Sequence, residues 1–325
     1  MKILITGGGG FLGFRLARTL LARGRLGGKP ITRLTLLDGA FPSFLNELKK
    51  EKVEIKAVTG DVSNASTIAQ VCPPDTDAVF HLAAVVSGAA EADFDLGMRV
   101  NYKGMELLLA QMRGCSRPPR MVYTSSVAAF GGTLPPVLDD STIANPQTSY
   151  GAQKVIGEYL VSDYSRKGFI DGRSLRLPTI VVRAGKANAA ASSFASAVIR
   201  EPLNGIAYEC PVGPETGVWL LSPGRVVDAF IHAWELPPEA WGTQRWLNLP
   251  GITASVADMV EAMRKVAGEA AAKRVSYKGD ARIQAIVKTW PVNFRTPRAL
   301  DMGFKPDGNV EEVIRQYVTD EKISI

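Results

Sequence analysis

Tyr150 and Lys154 are separated by four residues in the stretch "TSYGAQKV". Positions i and i+4 lie on the same face of a helix, so the phenol and the ammonium group can reach one ligand. Of the eight tyrosines in the chain, only Tyr150 has a lysine four residues later. The same spacing is also typical of a surface helix with a half-buried tyrosine and a solvated lysine. The surroundings of the pair must therefore decide between the two interpretations.

The composition limits what those surroundings can be. A chain of 325 residues with 46% hydrophobic residues can bury a sizeable core in one large domain or two unequal ones. Its three cysteines are scattered without metal-ligand spacing, which indicates a reducing compartment and argues against a disulfide framework. The two histidines, His81 and His232, give little basis for a metal site, so we predict no metal.

Charge and hydropathy limit the kinds of partner that the protein can bind. Four glycines and Arg15 interrupt the apolar start of the chain, and no later run approaches the ~18 apolar residues of a membrane span. We therefore expect a soluble, cytoplasmic protein without a membrane partner. The formal charge of +6 is modest and spread along the chain, which favours a small anionic ligand over nucleic acid.

Short apolar runs alternate with helix-length amphipathic segments through the first half of the chain. The apolar runs, which are typical of buried strands, cover residues 2–6, 34–38, 53–58, 78–83, 120–126 and 173–178. The clearest helical segments cover residues 11–23, 93–112 and 149–167. This alternation predicts an α/β fold with a doubly wound parallel sheet, the Rossmann architecture, covered on both faces.

The first predicted strand runs directly into the glycine-rich segment "TGGGGFLG", and a helix follows at once. Glycines permit a tight turn, a close approach of the backbone to a pyrophosphate, and close packing of the helix start on the strand. The pyrophosphate would lie at the positive end of the helix. The pattern fits in two registers, because either Gly7 or Gly8 combines with Gly10 and Gly13. A plain flexible turn is the alternative.

Asp38 closes the second predicted strand, where it is placed to accept hydrogen bonds from an adenosine ribose. A carboxylate at that position would repel a 2'-phosphate, so the sequence predicts NAD as the cofactor in preference to NADP. The alternative is an aspartate that merely terminates a strand in a turn.

The alternation stops after Pro178 in the small-residue loop "AGKANAAASSFAS". We therefore predict an NAD-binding Rossmann domain over residues 1–178. Residues 179–325 are predicted to form mainly a smaller substrate-binding lobe, interleaved with late elements of the Rossmann domain near "WLNLPG".

Several motifs in order resemble the extended short-chain dehydrogenases/reductases, a family that includes nucleotide-sugar epimerases and dehydratases. The motifs are "TGGGGFLG", "GDVSN", "HLAA", "VN" at Val100 and Asn101, "TSSVAAFGG" and "YGAQK". The resemblance covers the whole predicted nucleotide-binding part. It implies a catalytic set of Ser126, Tyr150 and Lys154, with Ser126 preferred to Ser125 because it stands five residues before Gly131. The residues implied to bind NAD are Gly7, Gly10, Phe11, Leu12, Gly13, Asp38, Asp61, Val62, Leu82, Ala83, Ala84, Asn101, Ser125, Tyr150, Lys154, Pro178 and Thr179.

The family resemblance gives the Tyr150–Lys154 pair a chemical role. A free tyrosine has a pKa of about 10 and is a poor base at neutral pH. Lys154, together with the positive nicotinamide of oxidised NAD, would stabilise the phenolate and lower its pKa. Ser126 would hold the substrate oxygen beside Tyr150, so that proton removal and hydride transfer share one geometry.

Departures from the epimerase pattern bear on the substrate. Thr179 stands where sugar-nucleotide members usually have an asparagine, Val218 replaces an arginine that meets the diphosphate, and Ser222 replaces a histidine. All three weaken the case for a nucleotide sugar. The stretches "FHLAAVVSGAAEADFDLGMRVN", "LRLPTIVVRAGKANAAASSFAS" and "LLSPGR" instead resemble NAD-dependent family members that oxidise the 2-hydroxyl of a four-carbon sugar acid.

A small polyhydroxy acid requires a cation for its carboxylate and short polar groups for its hydroxyls. The candidates for substrate binding are Ser87, Ser126, Tyr150, Arg183, Asn188, Ser192, Ser193, Trp219 and Arg225. Each has a structural alternative: an arginine can pair with a surface acid, a serine can form a loop, and Trp219 can belong to the core.

Three hypotheses remain from sequence. The first is a dehydrogenase whose partner is a small anionic sugar acid, and the second is a nucleotide-sugar epimerase or dehydratase with the same triad. The third is a non-catalytic regulator that senses a dinucleotide, although sensors of this fold commonly lack the tyrosine. The exact acid and the oligomeric state, with a homodimer among the options, stay open.

Overall fold

The computed structural model of the chain describes residues 1–41, 45, 48, 52–185 and 192–325. These residues form two compact units. The first unit comprises Met1–Ser126, Thr148–Arg176 and Val227–Leu247. The second comprises Val127–Gln147, Leu177–Val226 and Asn248–Ile325.

The β-strands and α-helices of the described residues have the following bounds. The strands are β1 Lys2–Thr6, β2 Arg25–Leu26, β3 Lys29–Pro30, β4 Arg33–Asp38, β5 Glu54–Thr59, β6 Ala78–His81, β7 Arg120–Ser126, β8 Asp171–Leu177, β9 Thr179–Ile180, β10 Tyr208–Cys210, β11 Gly217–Leu221, β12 Trp246–Asn248, β13 Ile252–Ser255 and β14 Val275–Tyr277. The helices are α1 Phe11–Arg23, α2 Ala65–Val71, α3 Ser87–Ala92, α4 Phe94–Gly97, α5 Gly104–Arg113, α6 Ser149–Arg166, α7 Ser193–Leu203, α8 Pro223–Glu235, α9 Val256–Ala267, α10 Glu269–Ala272, α11 Ala281–Val287, α12 Pro297–Asp301 and α13 Val310–Asp320.

A seven-stranded sheet with the order β12-β8-β7-β6-β1-β4-β5 confirms the predicted Rossmann architecture. Strand β1 pairs in parallel with β4 on one side and β6 on the other, and β5 and β7 continue the parallel pairing outward. The β1 residues Ile3, Leu4 and Ile5 are almost fully buried. A parallel strand covered on both faces requires such a continuous apolar run, which is why this strand could be recognised from the sequence.

The order of the strands creates a switch point at β1. From β1 the chain crosses to β4 and then β5 on one side, and it returns to β6 and β7 on the other. In the register, Thr6 pairs with Leu37 of β4 and His81 of β6. The carboxyl ends of these strands therefore lie together, and ligands of open α/β sheets bind at such a point.

Helix α6 carries Tyr150 and Lys154, and its start is held by two side chains. The Thr148 hydroxyl accepts a hydrogen bond from the Gly151 N–H (3.1 Å), and the Glu91 carboxylate accepts one from the Ser149 N–H (2.9 Å). Both satisfy N–H groups that a helix start leaves without partners, and the carboxylate also favours the positive helix end.

Close packing of α6 on the sheet depends on Gly157. A Cβ atom there would lie 2.5 Å from the hydroxyl oxygen of Tyr123 in β7. A larger residue would push the helix away from β7, so the glycine lets α6 lie directly on the strand that ends at Ser126.

The helix predicted over residues 93–112 is interrupted in the structure. Helix α4 gives way to a π-helical turn over Met98–Lys103 before α5 begins. Within this turn the Asn101 amide donates to the Val85 carbonyl (3.1 Å) and to Gln153 Oε1 (2.7 Å). Hydrophobic periodicity cannot predict such a turn, because the turn depends on partners distant in the sequence. π-helical turns are frequent at functional sites.

The second unit has its own core and a three-stranded sheet with the order β13-β11-β9. Helices α7, α9 and α13 contribute buried apolar side chains to this core, among them Val198, Met259 and Ile314. Among the helices described, none combines the length and the apolar character that a membrane crossing demands. Nor do the described residues contain a cluster of three or more potential metal ligands.

We predict that Thr148→Ala lowers the melting temperature, because the first turn of α6 loses its side-chain cap. The expected loss is ~1 kcal/mol, or roughly 2–4 °C, measured by thermal unfolding followed by circular dichroism. Thr148→Ser keeps the hydroxyl and should melt close to the unmodified protein. Equal melting temperatures for the alanine and serine variants would show that the cap contributes no stability.

Candidate active site

The glycine-rich turn after β1 leaves no room for side chains. Gly7 has a positive φ of 73°, and a Cβ atom on it would lie 2.8 Å from the Ala83 backbone nitrogen. A Cβ on Gly13 would lie 2.0 Å from the Gly7 carbonyl oxygen. Because these glycines have no side chains, the backbone can approach a bound ligand closely at the switch point, directly before α1.

The start of α1 is suited to an anion. Gly10 is the N-cap residue, so no side chain caps the helix, and its first turn contains no acidic residue. Phe11 and Leu12, both predicted to bind NAD, occupy the first two positions of the helix. The N–H groups of this turn and the positive helix end fit the pyrophosphate of a dinucleotide.

Asp38 lies at the end of β4 beside this turn. Its Oδ2 accepts a hydrogen bond from the Gly9 N–H at 3.0 Å. A Cβ on Gly10 would lie 3.9 Å from the same oxygen, so the carboxylate adjoins the glycine turn. The carboxylate is half-buried, and it combines the structural role of a turn aspartate with a position suited to a ribose hydroxyl.

Asp61 and Val62 follow β5. The Asp61 carboxylate accepts hydrogen bonds from the Ser63 backbone (2.8 Å) and hydroxyl (2.7 Å) and from Arg99 (2.5 Å). Ser63 first, and then Arg99, keep the pKa of this carboxyl below its usual value. Val62 is buried against Gly104, where a Cβ would lie 2.8 Å from the valine side chain. Arg99 was not singled out from the sequence.

The loop after β6 is anchored to β1 through a buried polar contact. Thr6 Oγ1 lies 2.6 Å from His81 Nδ1, and the Leu82 N–H donates to the Thr6 carbonyl (3.0 Å). Burial lowers the pKa of His81 to about 3, so its imidazole is neutral at physiological pH. Leu82, Ala83 and the following residues are therefore held at the carboxyl edge of the sheet.

Asn101 also anchors the loop that follows β6. Its amide oxygen accepts a hydrogen bond from the Val85 N–H (2.8 Å), and its amide nitrogen donates to Val85 and Gln153. The side chain predicted to bind NAD thus fixes the loop of Leu82 to Val85 onto α6. Gln153 was missed from the sequence, since a glutamine between two candidate catalytic residues has no distinctive pattern.

The structure brings the three predicted catalytic residues together in the first unit. Ser126 ends β7, and its hydroxyl is hydrogen-bonded to that of Tyr150 in the first turn of α6. Lys154 lies one turn later, with its ammonium nitrogen 5.4 Å from the centroid of the Tyr150 ring. Lys154 Nζ also donates to the Thr124 carbonyl oxygen (2.7 Å). This grouping of a hydroxyl, a phenol and an ammonium is suited to base catalysis by the phenol.

Burial shifts the pKa values of both Lys154 and Tyr150. It lowers the pKa of Lys154 to about 7, against the opposing effect of the Glu158 carboxylate. It raises the pKa of Tyr150 to about 12, against the hydrogen bond from Ser126. The protein alone therefore holds a protonated phenol at neutral pH. A positive nicotinamide would favour the phenolate, so the site is chemically suited to oxidised NAD.

The predicted substrate residues are spread over both units. Ser87, at the first position of α3, belongs to the first unit, whereas Arg183, Ser192, Ser193, Trp219 and Arg225 belong to the second. Asn188 lies outside the described residues. Ser192 is the N-cap residue of α7 and Ser193 its first residue. Pro178 and Thr179, predicted to bind NAD, are also in the second unit, where Thr179 pairs with Leu220.

Arg183 and Arg225 have different surroundings. Among the described residues we find no acidic partner for the half-buried Arg183 guanidinium, and both burial and Arg200 lower its pKa. Arg225 Nε lies 4.0 Å from Asp307, a buried carboxylate that also accepts hydrogen bonds from Ser222 N–H and Oγ, both at 2.7 Å. Arg183 is therefore the better candidate for binding an external carboxylate.

Trp219 is a core residue in the structure. It is buried and stacks on Phe294 with ring centroids 5.1 Å apart. Its indole nitrogen is nevertheless buried without a hydrogen-bond partner in the described part of the chain.

We predict that the protein binds NAD better than NADP by about tenfold or more, since placing a 2'-phosphate beside Asp38 costs several kcal/mol. Fluorescence titration with both dinucleotides measures the ratio, and Asp38→Ala should reduce it. Asp95→Ala, which removes an exposed carboxylate from α4, is the control and should not change it. Equal affinities in the unmodified protein would contradict the role of Asp38.

Comparisons with known proteins agree with this geometry. A profile of the NAD dependent epimerase/dehydratase family matches residues 3–233 of the chain. The D-erythronate dehydrogenase of Cupriavidus necator is 55% identical over 324 residues, covering 98% of each chain. That of Haemophilus influenzae is 42% identical, covering 98% of this chain and 99% of the relative.

A solved structure shows the same fold. The nucleoside-diphosphate-sugar epimerase from Agrobacterium tumefaciens has a TM-score of 0.93 and 39% identity, covering 99% of this chain and 94% of that one. With these relatives and the dinucleotide cradle at the switch point, the chain is an NAD-dependent oxidoreductase, which confirms the cofactor predicted from the glycine turn. The chain thus belongs to the NAD-dependent epimerase/dehydratase family, the extended short-chain dehydrogenases/reductases that its motifs resemble.

Proposed function

We propose that this protein oxidises the 2-hydroxyl of D-erythronate to give 2-oxo-tetronate, with Ser126, Tyr150 and Lys154 as the catalytic group. The observation that carries the proposal is the hydrogen bond between Ser126 and Tyr150 beside the buried Lys154 ammonium. Two relatives at 55% and 42% identity that are D-erythronate dehydrogenases support the choice of substrate.

The residues act on the substrate hydroxyl in one step. Ser126 donates a hydrogen bond to the 2-oxygen, and the Tyr150 phenolate removes its proton. Lys154 stabilises that phenolate across the short distance that one helical turn provides. NAD supplies the hydride acceptor for C2. The neutral His81 and the Asn101 contact keep the loop after β6 in place while the reaction occurs.

We assign the substrate carboxylate to Arg183. A guanidinium without an acidic partner in the described residues can bind a carboxylate through two parallel hydrogen bonds. The Arg183 backbone is held by Ser196, whose hydroxyl accepts its N–H (3.0 Å), and by Arg200, which donates to its carbonyl (2.9 Å). In this proposal residues 179–325 mainly supply substrate contacts and residues 1–178 bind NAD. Further candidates for substrate binding are Ser87, Asn188, Ser192, Ser193 and Arg225.

The nucleotide-sugar alternative has one supporting observation: the 39%-identical Agrobacterium tumefaciens structure is that of a nucleoside-diphosphate-sugar epimerase. Two side chains argue against it. Val218 is 1% exposed, and the Ser222 hydroxyl is bound to Asp307. Neither can replace the cation that a diphosphate requires. The family and the dehydrogenase relatives also favour an enzyme over a dinucleotide-sensing regulator. Assembly as a homodimer stays a prediction.

We predict that the purified protein forms NADH from NAD and D-erythronate, and that Tyr150→Phe lowers kcat by roughly 10²- to 10⁴-fold, the contribution of a general base. NAD affinity should change little, because the fold loses a single oxygen. NADH absorbance measures the rate. Turnover of a UDP-sugar without NADH formation from any sugar acid would defeat the assignment.

A control for this variant lies on the same helix. Tyr159 of α6 is 61% exposed, so Tyr159→Phe removes a hydroxyl of the same kind away from the catalytic group. It should leave kcat unchanged. Near-normal turnover of Tyr150→Phe would remove Tyr150 from the mechanism.

Arg183→Met tests the carboxylate contact, because methionine keeps an unbranched side chain and removes the charge. We expect kcat/KM for D-erythronate to fall by the ~2–5 kcal/mol that truncating one member of a buried charge pair costs, with NAD affinity unchanged. Steady-state kinetics measure both. Arg225→Met, made in parallel, should have a smaller effect; the reverse order would assign the carboxylate to Arg225.

A further inference from the structure

Glu158 lies one helical turn beyond Lys154 on α6, so Tyr150, Lys154 and Glu158 follow one another at four-residue intervals along one helix face. The Glu158 side chain is 1% exposed. A carboxylate so deeply buried is costly unless charged and hydrogen-bonding partners surround it.

Glu158 has such partners from two strands of the sheet. Its Oε1 accepts hydrogen bonds from Ser125 Oγ (2.5 Å) and from Arg176 Nε (2.8 Å). Its Oε2 accepts one from Arg176 Nη2 (2.7 Å), and Arg176 is itself 4% exposed. This two-point contact with a guanidinium has a defined geometry. Glu158 thereby joins α6 to the end of β7, at the residue before Ser126, and to β8.

We propose that Glu158 is a positioning residue for the dehydrogenase: it fixes the end of β7, where Ser126 lies, against the helix of Tyr150, and it places a negative charge one helical turn from Lys154. The proposal rests on the proposed function, in which Tyr150 is the base. Glu158 does not touch the reacting atoms, and it acts through Ser125 and Lys154.

The electrostatic effect of Glu158 on Lys154 depends on the other groups that face the ammonium. From α6 these are Tyr150 and Glu158; from β7 Tyr123 faces it, with its ring centroid 5.0 Å from Lys154 Nζ, and from β6 the neutral His81. Burial lowers the pKa of Lys154, and of the described residues Glu158 is the one whose charge raises it. Arg176 pairs with Glu158 and neutralises part of its charge.

The variant Glu158→Gln is expected to raise the pKa of Tyr150. Without the carboxylate the pKa of Lys154 falls, so the ammonium is lost at a lower pH. The phenolate of Tyr150 then lacks its stabilising cation, and the pKa of Tyr150 rises. The acid limb of the kcat profile should therefore move to higher pH, and alkaline conditions should restore part of the rate.

The experiment measures that shift with and without turnover. The absorbance of the Tyr150 phenolate is titrated in the NAD complex, with Tyr150→Phe subtracted as the blank. We expect Glu158→Gln to raise the midpoint by about one pH unit or more, the size of one nearby charge. At neutral pH kcat should fall by roughly tenfold, since one pH unit of displacement costs one factor of ten. The KM for NAD should stay the same.

Two further variants separate positioning from general destabilisation. Asp171→Asn is the matched control, because Asp171 on β8 also pairs with arginines of the first unit, Arg120, Arg173 and Arg245. It should lower the melting temperature and leave the phenolate midpoint unchanged. Glu158→Asp keeps the charge and should restore most of the midpoint while kcat stays reduced. If Glu158→Gln does not fold, the double variant Glu158→Gln with Arg176→Met removes both charges and should show a smaller rise in the same direction, because Arg176 neutralises part of the charge of Glu158.

The outcomes distinguish the two proposals. Absence of NADH formation from D-erythronate by the unmodified protein defeats the proposed function, while the phenolate titration still tests Glu158. An unchanged phenolate midpoint in Glu158→Gln, or a loss of kcat that is uniform across pH and matched by Asp171→Asn, overturns the role of Glu158.

Discussion

The burial of the Lys154 ammonium is the constraint on which the site depends. An unpaired charge excluded from water is unstable, so the surrounding chain must compensate for the lost hydration. The Thr124 carbonyl accepts a hydrogen bond from the ammonium, the Tyr123 and Tyr150 rings lie beside it, and the Glu158 carboxylate supplies the opposite charge. The same burial makes the ammonium responsive to its neighbours, since charges interact more strongly where water is excluded.

That burial is possible only because α6 lies so close to the sheet. Gly157 permits the approach to Tyr123, and Thr148 and Glu91 hold the first turn, where Tyr150 begins its contact with Ser126. The same principle applies at the opposite side of the switch point, where Gly13 lets α1 pack against the glycine turn. In both places the absence of a side chain lets a helix pack closely against the neighbouring strand or turn. The candidate cofactor cradle and the proposed catalytic residues therefore both depend on a glycine that permits close packing.

Polar contacts, rather than apolar packing, organise the loops at the carboxyl edge. Thr6 with His81 and Asn101 with Val85 hold the segment after β6. The Glu158–Arg176 pair likewise holds α6 on β8. Buried polar networks of this kind confer a defined geometry when every member finds a partner. Such rigidity suits a reaction in which proton removal and hydride transfer must occur in alignment.

The sequence by itself determined the sheet, the glycine turn and the spacing of Tyr150 and Lys154. These are local properties: apolar runs mark parallel strands, and α1 has the predicted bounds Phe11–Arg23 because its apolar period and the preceding glycines agree. Tertiary structure alone decided the π-turn at Asn101, the Ser125–Glu158–Arg176 contact and the absence of an acidic partner for Arg183 in the described residues. The physical reason is that hydrogen bonds and ion pairs join residues distant in the chain, and a single sequence contains no periodicity that records which distant partners will meet.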